Sequence, residues 1–128
     1  MHGGGANMAV RRGHVKMLDR EKLLEDCDDE ASFANHCLQI FVKETQADID
    51  SIALALGKSD LAQVARLAHR IKGASATIRA RFLLEEAARL QVLGDEERGD
   101  EAALSFARLR ADFENFRRFI VTLPPLPD

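Results

Sequence analysis

The stretch Leu67-Ala68-His69-Arg70-Ile71-Lys72-Gly73-Ala74-Ser75 lies near the middle of the 128-residue chain, and its reading decides the fold. Apolar or small residues recur through it and its flanks at Leu61, Val64, Ala65, Leu67, Ala68, Ile71, Ser75 and Ile78, the spacing of one helical face. At about 100° per residue that stripe faces a core, and His69 points away on its flank. The positions one turn from His69 are small: Ala65 and Gly73, with Ala62 and Ala76 on the same strip. Such a histidine is not packed over, and another molecule can reach its ring. Lys72 stands one turn on, and Arg66 and Arg70 add positive charge. An exposed imidazole beside an ammonium suits a bound anion.

The rest of the chain follows the same period. Asp19 is placed to cap a short helix over 20–26, with Leu18 and Leu23 as a hydrophobic staple. A long helix is expected over about 30–57, with Leu38, Phe41, Val42, Thr45, Ile49, Ile52, Ala53 and Leu56 inward and Gly57 at its end. Asp60 and Gln63 have capping-box spacing, so the helix of His69 starts near 60 and runs to about 78. A turn around Arg79-Ala80 leads to a fourth helix over about 81–93, with Leu83, Ala87 and Leu90 inward and Gly94 as its stop. Asp100 can cap the last helix, whose inner stripe is Ala102, Phe106, Leu109, Phe113, Phe116 and Ile120. Four amphipathic helices with short connections imply an all-α, antiparallel up-down-up-down four-helix bundle with a short extra N-terminal helix. Residues 1–17, rich in Gly, are expected to be a flexible arm, 18–123 the bundle, and 124–128 a Pro-rich tail.

Composition narrows the function. Hydrophobic content of 46% and charged content of 30% are those of an ordinary globular domain, and the length suits a single core. A net charge of −3 gives no reason to expect nucleic acid. Positive charge nonetheless gathers at Arg66, Arg70, Lys72, Arg79 and Arg81, a patch that favours an acidic partner surface. No apolar run approaches the roughly 20 residues of a membrane span, and Met1–Gly5 has no apolar signal region, so a cytoplasmic protein away from the membrane is expected. Cys27 and Cys37 lack CxxC spacing and read as reduced thiols, with a bridge between them left open. His2, His14 and His36 have no accompanying constellation and read as inert. Glu-x-x-His occurs nowhere, which argues against a di-iron bundle; no other metal set is evident.

The segment Ala68-His69-x-x-Lys72-Gly73-x-Ser75, continuing through Ile78-x-Ala80 to Leu90-Gln91-x-Leu93-Gly94, resembles the signature of histidine-containing phosphotransfer (HPt) domains. In looser form the helix pattern resembles that family from about Leu18 to Ile120. The resemblance implies a phosphocarrier with no kinase site of its own. It implies His69 as phosphoacceptor, Lys72 and Gln91 as stabilisers of the phosphoryl group, and Gly73 as room for the partner. Arg66, Arg70, Ser75 and Arg79 are assigned to docking. Without the resemblance, Gln91 reads equally as a polar residue on the border of its stripe. Implied partners are receiver domains of response regulators or hybrid sensor kinases. The carrier would be monomeric and have no cofactor, Mg²⁺ belonging to the receiver. The family usually has Gly where this chain has Arg79, which leaves the shape of that turn open. Two other readings fit less well. A histidine-kinase phosphoacceptor usually has an acidic residue just after the His, where this chain has Arg70, and no nucleotide loop occurs. A docking module with the same fold and no transfer activity would have had no need of His69, Lys72 and Gly73 together.

Overall fold

The structure, a computed structural model, describes residues 11–12 and 15–123, with side chains from Met17 onward. A two-residue antiparallel ribbon pairs β1 (Arg11–Arg12) with β2 (Val15–Lys16). Five helices follow: α1 (Arg20–Asp26), α2 (Ala31–Gly57), α3 (Leu61–Thr77), α4 (Arg81–Asp95) and α5 (Gly99–Thr122). Each of α2, α3 and α4 packs on its successor, and α5 returns against α2, closing an antiparallel up-down-up-down bundle. Helix α1 lies against α2, and β2 runs beside α4. None of the described helices is long and apolar enough to cross a membrane.

Short-range chemistry sets the helix starts. Asp19 Oδ1 accepts from the Lys22 amide at 3.1 Å, and Asp60 Oδ1 from the Gln63 amide at 3.1 Å, each satisfying an otherwise orphaned donor. The helix ends share one device. After α2, α3 and α4, a residue in the left-handed region turns the chain: Ser59 (φ 56°), Arg79 (φ 67°) and Glu97 (φ 56°). In each, that residue's amide bonds the carbonyl three back, and the next amide bonds the carbonyl five back. The second set is Asp60 to Ala55 (2.8 Å), Ala80 to Ser75 (2.9 Å) and Arg98 to Leu93 (3.0 Å). This is the Schellman motif, built here without glycine. Asp28 and Asp29 (φ 55° and 61°) close α1 with the same pair of bonds.

The inner stripes meet in one core. Phe41 of α2 stands edge-on to Phe113 and Phe116 of α5, with centroids 6.3 and 5.6 Å apart. Val64, Leu67, Ala68 and Ile71 of α3 and Leu83, Ala87 and Leu90 of α4 are buried between them. Two core positions carry charge, Arg20 and Asp112, and each makes an electrostatic or hydrogen-bonding interaction, as buried charges must.

Several expectations need correction. Gly94 does not stop α4, which runs on to Asp95. A Cβ on Gly94 would stand 3.1 Å from Ala65 Cβ, Ala65 N and Leu61 O, so this glycine lets α4 lie directly on α3. Gly57 is, as expected, the last helical residue of α2, with Ser59 in the left-handed position two residues on. Asp100 does not cap α5. Glu97 turns the chain one step earlier, Arg98 occupies the cap, and Asp100 and Glu101 fill the first turn, where negative charge suits the helix dipole. On the inner stripes, Ala55 is buried while Ala53 and Leu56 are only partly so, and Phe119 is buried more deeply than Ile120. Met17, assigned to the arm, is 1% exposed and part of the core. The remainder of the expected arm at 1–10 and 13–14, and the tail at 124–128, lie outside the described residues.

Arg79 occupies the position where the resembling family carries Gly, and its backbone explains why. The left-handed conformation costs an L-residue roughly 1–2 kcal/mol, and glycine avoids that cost. Here Arg79 donates through Nε and Nη2 to both oxygens of Asp26 at 2.7 and 3.0 Å, tying the turn to the end of α1. The Arg79 guanidinium, bonded to it, holds the Asp26 carboxyl below its usual range.

Two stability measurements follow. Gly94→Ala gains about 0.5–1 kcal/mol of helix propensity but overpacks rigid backbone at about 1–3 kcal/mol, so urea unfolding should show a net loss. Gly73→Ala, where a Cβ meets nothing within 4 Å, should show a net gain. Arg79→Ala and Arg79→Gly both lose the Asp26 pair, so the difference between them isolates the backbone strain. The glycine variant should be the more stable by about 1 kcal/mol.

Candidate phosphoryl-acceptor site

Helix α3 presents His69 to solvent because the faces on either side of it are committed. Val64, Leu67, Ala68, Ile71 and Ser75 turn to the core, and Ala65 lies under α4 at Gly94. What remains outward is the strip Ala62, Arg66, His69, Gly73 and Ala76, all exposed. The small residues on it leave the imidazole uncovered. Beside the ring is an open depression of about 480 Å³ lined by Ala65, Arg66, His69, Arg70, Gln91 and Asp95.

Gln91, on α4, reaches across to the ring. Its Oε1 stands 3.3 Å from His69 Nδ1, the long end of a hydrogen bond. With Gln91 Oε1 as acceptor, the contact suits the tautomer that carries its proton on Nδ1 and leaves the Nε2 lone pair free. Of the two readings of Gln91, the direct imidazole contact is the one present.

The surrounding charge is more constrained than the sequence suggests. Arg70 Nη2 pairs with Asp48 Oδ1 of α2 at 3.2 Å. Burial pushes the Asp48 carboxyl up, Arg70 pulls it back down, and Glu44 adds a smaller push upward. Arg66 donates through Nε and Nη2 to Gln63 Oε1, so the guanidinium lies along its own helix beside the depression. Arg81 pairs with Glu85 on its own helix, and Arg79 with Asp26. Lys72, half-buried, has no salt bridge among the described residues and stands one turn from His69. It is the ammonium with freedom to meet an anion on the ring.

Two assignments to docking fail on geometry. Ser75 is fully buried, and its hydroxyl has no hydrogen-bond partner among the described residues, so it belongs to the core stripe and meets no outside molecule. Arg79 is ten residues along from His69, about 15 Å of helix, and its guanidinium is engaged by Asp26. Two residues near the site went unrecognised in the sequence. Asp95 lines the depression, one turn beyond Gln91, and Asp48 anchors Arg70. Helical spacing from Gln91 could have flagged Asp95; nothing local could have flagged Asp48.

Comparisons with known proteins place the chain in a family. The family model described as the Hpt domain matches residues 36–119, which include His69, Lys72, Gly73 and Gln91. No curated protein matches the chain. Among solved structures, the fold is similar to histidine-containing phosphotransfer protein B from Pseudomonas aeruginosa PAO1. That match has a TM-score of 0.76 at 20% identity, covering 82% of this chain and 91% of that one. A putative histidine-containing phosphotransfer protein from rice is similar with a TM-score of 0.75 at 21% identity, covering 84% and 79% respectively. The structural likeness carries the fold, and the domain match, spanning more than half of the chain, carries the family. That match, with the exposed histidine of α3 inside it, makes this chain a member of the Hpt domain family, the phosphotransfer modules of phosphorelays.

Proposed function

We propose that this domain accepts a phosphoryl group from the aspartyl phosphate of a receiver domain onto Nε2 of His69 and passes it to the aspartate of another receiver. The observation that supports this most directly is the 3.3 Å contact between His69 Nδ1 and Gln91 Oε1. A ring whose Nδ1 proton is held to an acceptor has its Nε2 lone pair directed outward as a nucleophile. An aspartyl phosphate is an activated acyl phosphate. Attack by Nε2 forms the N–P bond as the P–O bond breaks, and the carboxylate leaves with the electron pair. The ring becomes a phosphoimidazolium whose proton stays on Nδ1, donated to Gln91 Oε1, so the reverse step needs no new proton. Imidazole suits both directions, being nucleophilic near pH 7 and a good leaving group afterwards.

Lys72 neutralises part of the phosphoryl charge as a point charge with three donors. Gly73, whose missing side chain faces open space, leaves room for the partner's active site to close over the ring. Arg66 and Arg70 border the same depression and meet the acidic surroundings of a receiver's aspartate. The Mg²⁺ and most of the transition-state stabilisation are the receiver's contribution, so the domain is a carrier and not a kinase. In this reading it works as a cytoplasmic monomer through transient encounters.

His69→Gln should fold with unchanged helicity and accept no label from a phosphorylated receiver. A variant that still labels through an acid-labile, base-stable bond has its acceptor elsewhere. If the wild-type domain folds and binds receivers but never labels, it is a docking module. Lys72→Ala should slow transfer without abolishing it, with Lys72→Arg milder, since its role is electrostatic. Gly73→Gln should keep its melting temperature near that of the wild type while transfer slows through crowding of Nε2. The tautomer can be read directly. Nitrogen-15 chemical shifts of His69 should report a protonated Nδ1 in the wild type, and Gln91→Leu should move the ring toward the Nε2–H form.

A further inference from the structure

Three cations stand around His69, and the fold treats each differently. Lys72 has no ion pair among the described residues. Arg66 lies along α3, donating to the neutral Gln63 of its own helix. Arg70 alone is held by a charge from another helix, its Nη2 standing 3.2 Å from Asp48 Oδ1 of α2. The two ends of that pair differ. The Arg70 side chain is 67% exposed and the Asp48 side chain only 13%. Arg70 also borders the depression beside the ring, together with His69 and Gln91. The fixed end of the pair is therefore in the bundle, and the open end is at the site.

Asp48 is a costly anchor. Burial pushes its carboxyl up, Arg70 offsets part of that, and Glu44 adds a smaller push upward. A neutral residue of the same shape would serve the fold as well, so the charge is explained by what it holds. Nor does an anion arriving at His69 draw the guanidinium off Asp48. Without Arg70 the mostly buried carboxylate would stand near Glu44 with no counter-charge. A guanidinium has five N–H donors in one rigid plane, and among the described residues only Nη2 of Arg70 is engaged. We propose that Asp48 is a positioning residue: it holds the Arg70 guanidinium at the rim of the depression, where the remaining donors bond the phosphoryl group carried by His69. The inference rests on the reading of His69 as phosphoacceptor. Lys72 and Arg70 then divide the work. Lys72 is a point charge on a flexible stem, and Arg70 is a planar donor already ordered by α2, so little side-chain freedom is lost when the phosphoryl group arrives.

The test uses the whole chain and four variants: Asp48→Asn, Asp48→Glu, Arg70→Ala, and Asp48→Asn combined with Arg70→Ala. His69 is labelled with phosphoramidate, a small donor that needs no receiver, and separately by a phosphorylated receiver. Melting temperature, the rate of transfer from the receiver and the phosphorus-31 chemical shift of the labelled chain are measured. Asp48→Asn should melt at or above the wild-type temperature yet slow transfer by roughly threefold to tenfold, the range of one lost coupling between neighbouring charged groups. Arg70→Ala should slow transfer at least as much, and the double variant no more than Arg70→Ala alone. The phosphorus resonance should move in the same direction in all three. Asp48→Glu, which keeps the charge, should recover part of the rate. Additive effects of the two substitutions would overturn the proposal, as would a phosphorus resonance that neither moves. So would an Asp48→Asn variant that melts lower and transfers at the wild-type rate, since the pair would then be purely structural. A wild-type chain that takes no label from either donor removes the acceptor reading and this inference with it. A wild-type chain that labels normally, with Arg70→Ala indistinguishable from it, removes this inference alone.

Discussion

The close approach of α4 to α3 at Gly94 is the contact on which the functional face depends. With no side chain on Gly94, the backbone of α4 lies against Ala65 and Leu61 of α3. The Schellman turn at Arg79-Ala80 sets the register of the pair, so residues equidistant from it face one another. Ala65 meets Gly94, and one turn nearer the connection His69 meets Gln91. A wider spacing or a different turn would carry the amide away from the imidazole, and the ring would have no fixed tautomer. The left-handed Arg79 and the absent Cβ of Gly94 are therefore as much a part of the site as the histidine.

Charge around the site is organised by ion pairs. The sequence places five basic residues near the motif, which suggests a broad positive patch. In the fold, Arg70 is pinned to Asp48 of α2, Arg79 to Asp26 and Arg81 to Glu85. Surface pairs of this kind add little to stability. Their larger effect is to fix where the guanidinium groups lie, Arg70 still bordering the depression beside the ring, and to reduce the field a partner meets. Lys72 stays beside His69 without a carboxylate partner among the described residues.

Helix α1 extends the bundle's role beyond packing. Its last residue, Asp26, engages the turn after α3, and the next, Cys27, belongs to the core. An arginine in a conformation suited to glycine is tolerated because that carboxylate holds it from another helix. The turn thus keeps the geometry a glycine would adopt while its guanidinium ties α1 to the α3–α4 connection.

The sequence by itself determined the helices, the face each buries and the histidine left outside. Those follow from residues within four positions of one another: the apolar stripes, the Asp19 and Asp60 caps, and the small residues around His69. It misplaced the roles of Gly94 and Asp100, because how a helix ends depends on how the next one must leave and pack. It counted Ser75 twice, as core stripe and as docking residue, and only the packed bundle removed the second role by burying it completely. The contact of Gln91 with His69 spans 22 positions and that of Arg79 with Asp26 spans 53. Such pairings arise from the register and spacing of packed helices, which no local pattern encodes, and they decided the contact at the ring, the pinning of the arginines and the meeting of α1 with the turn.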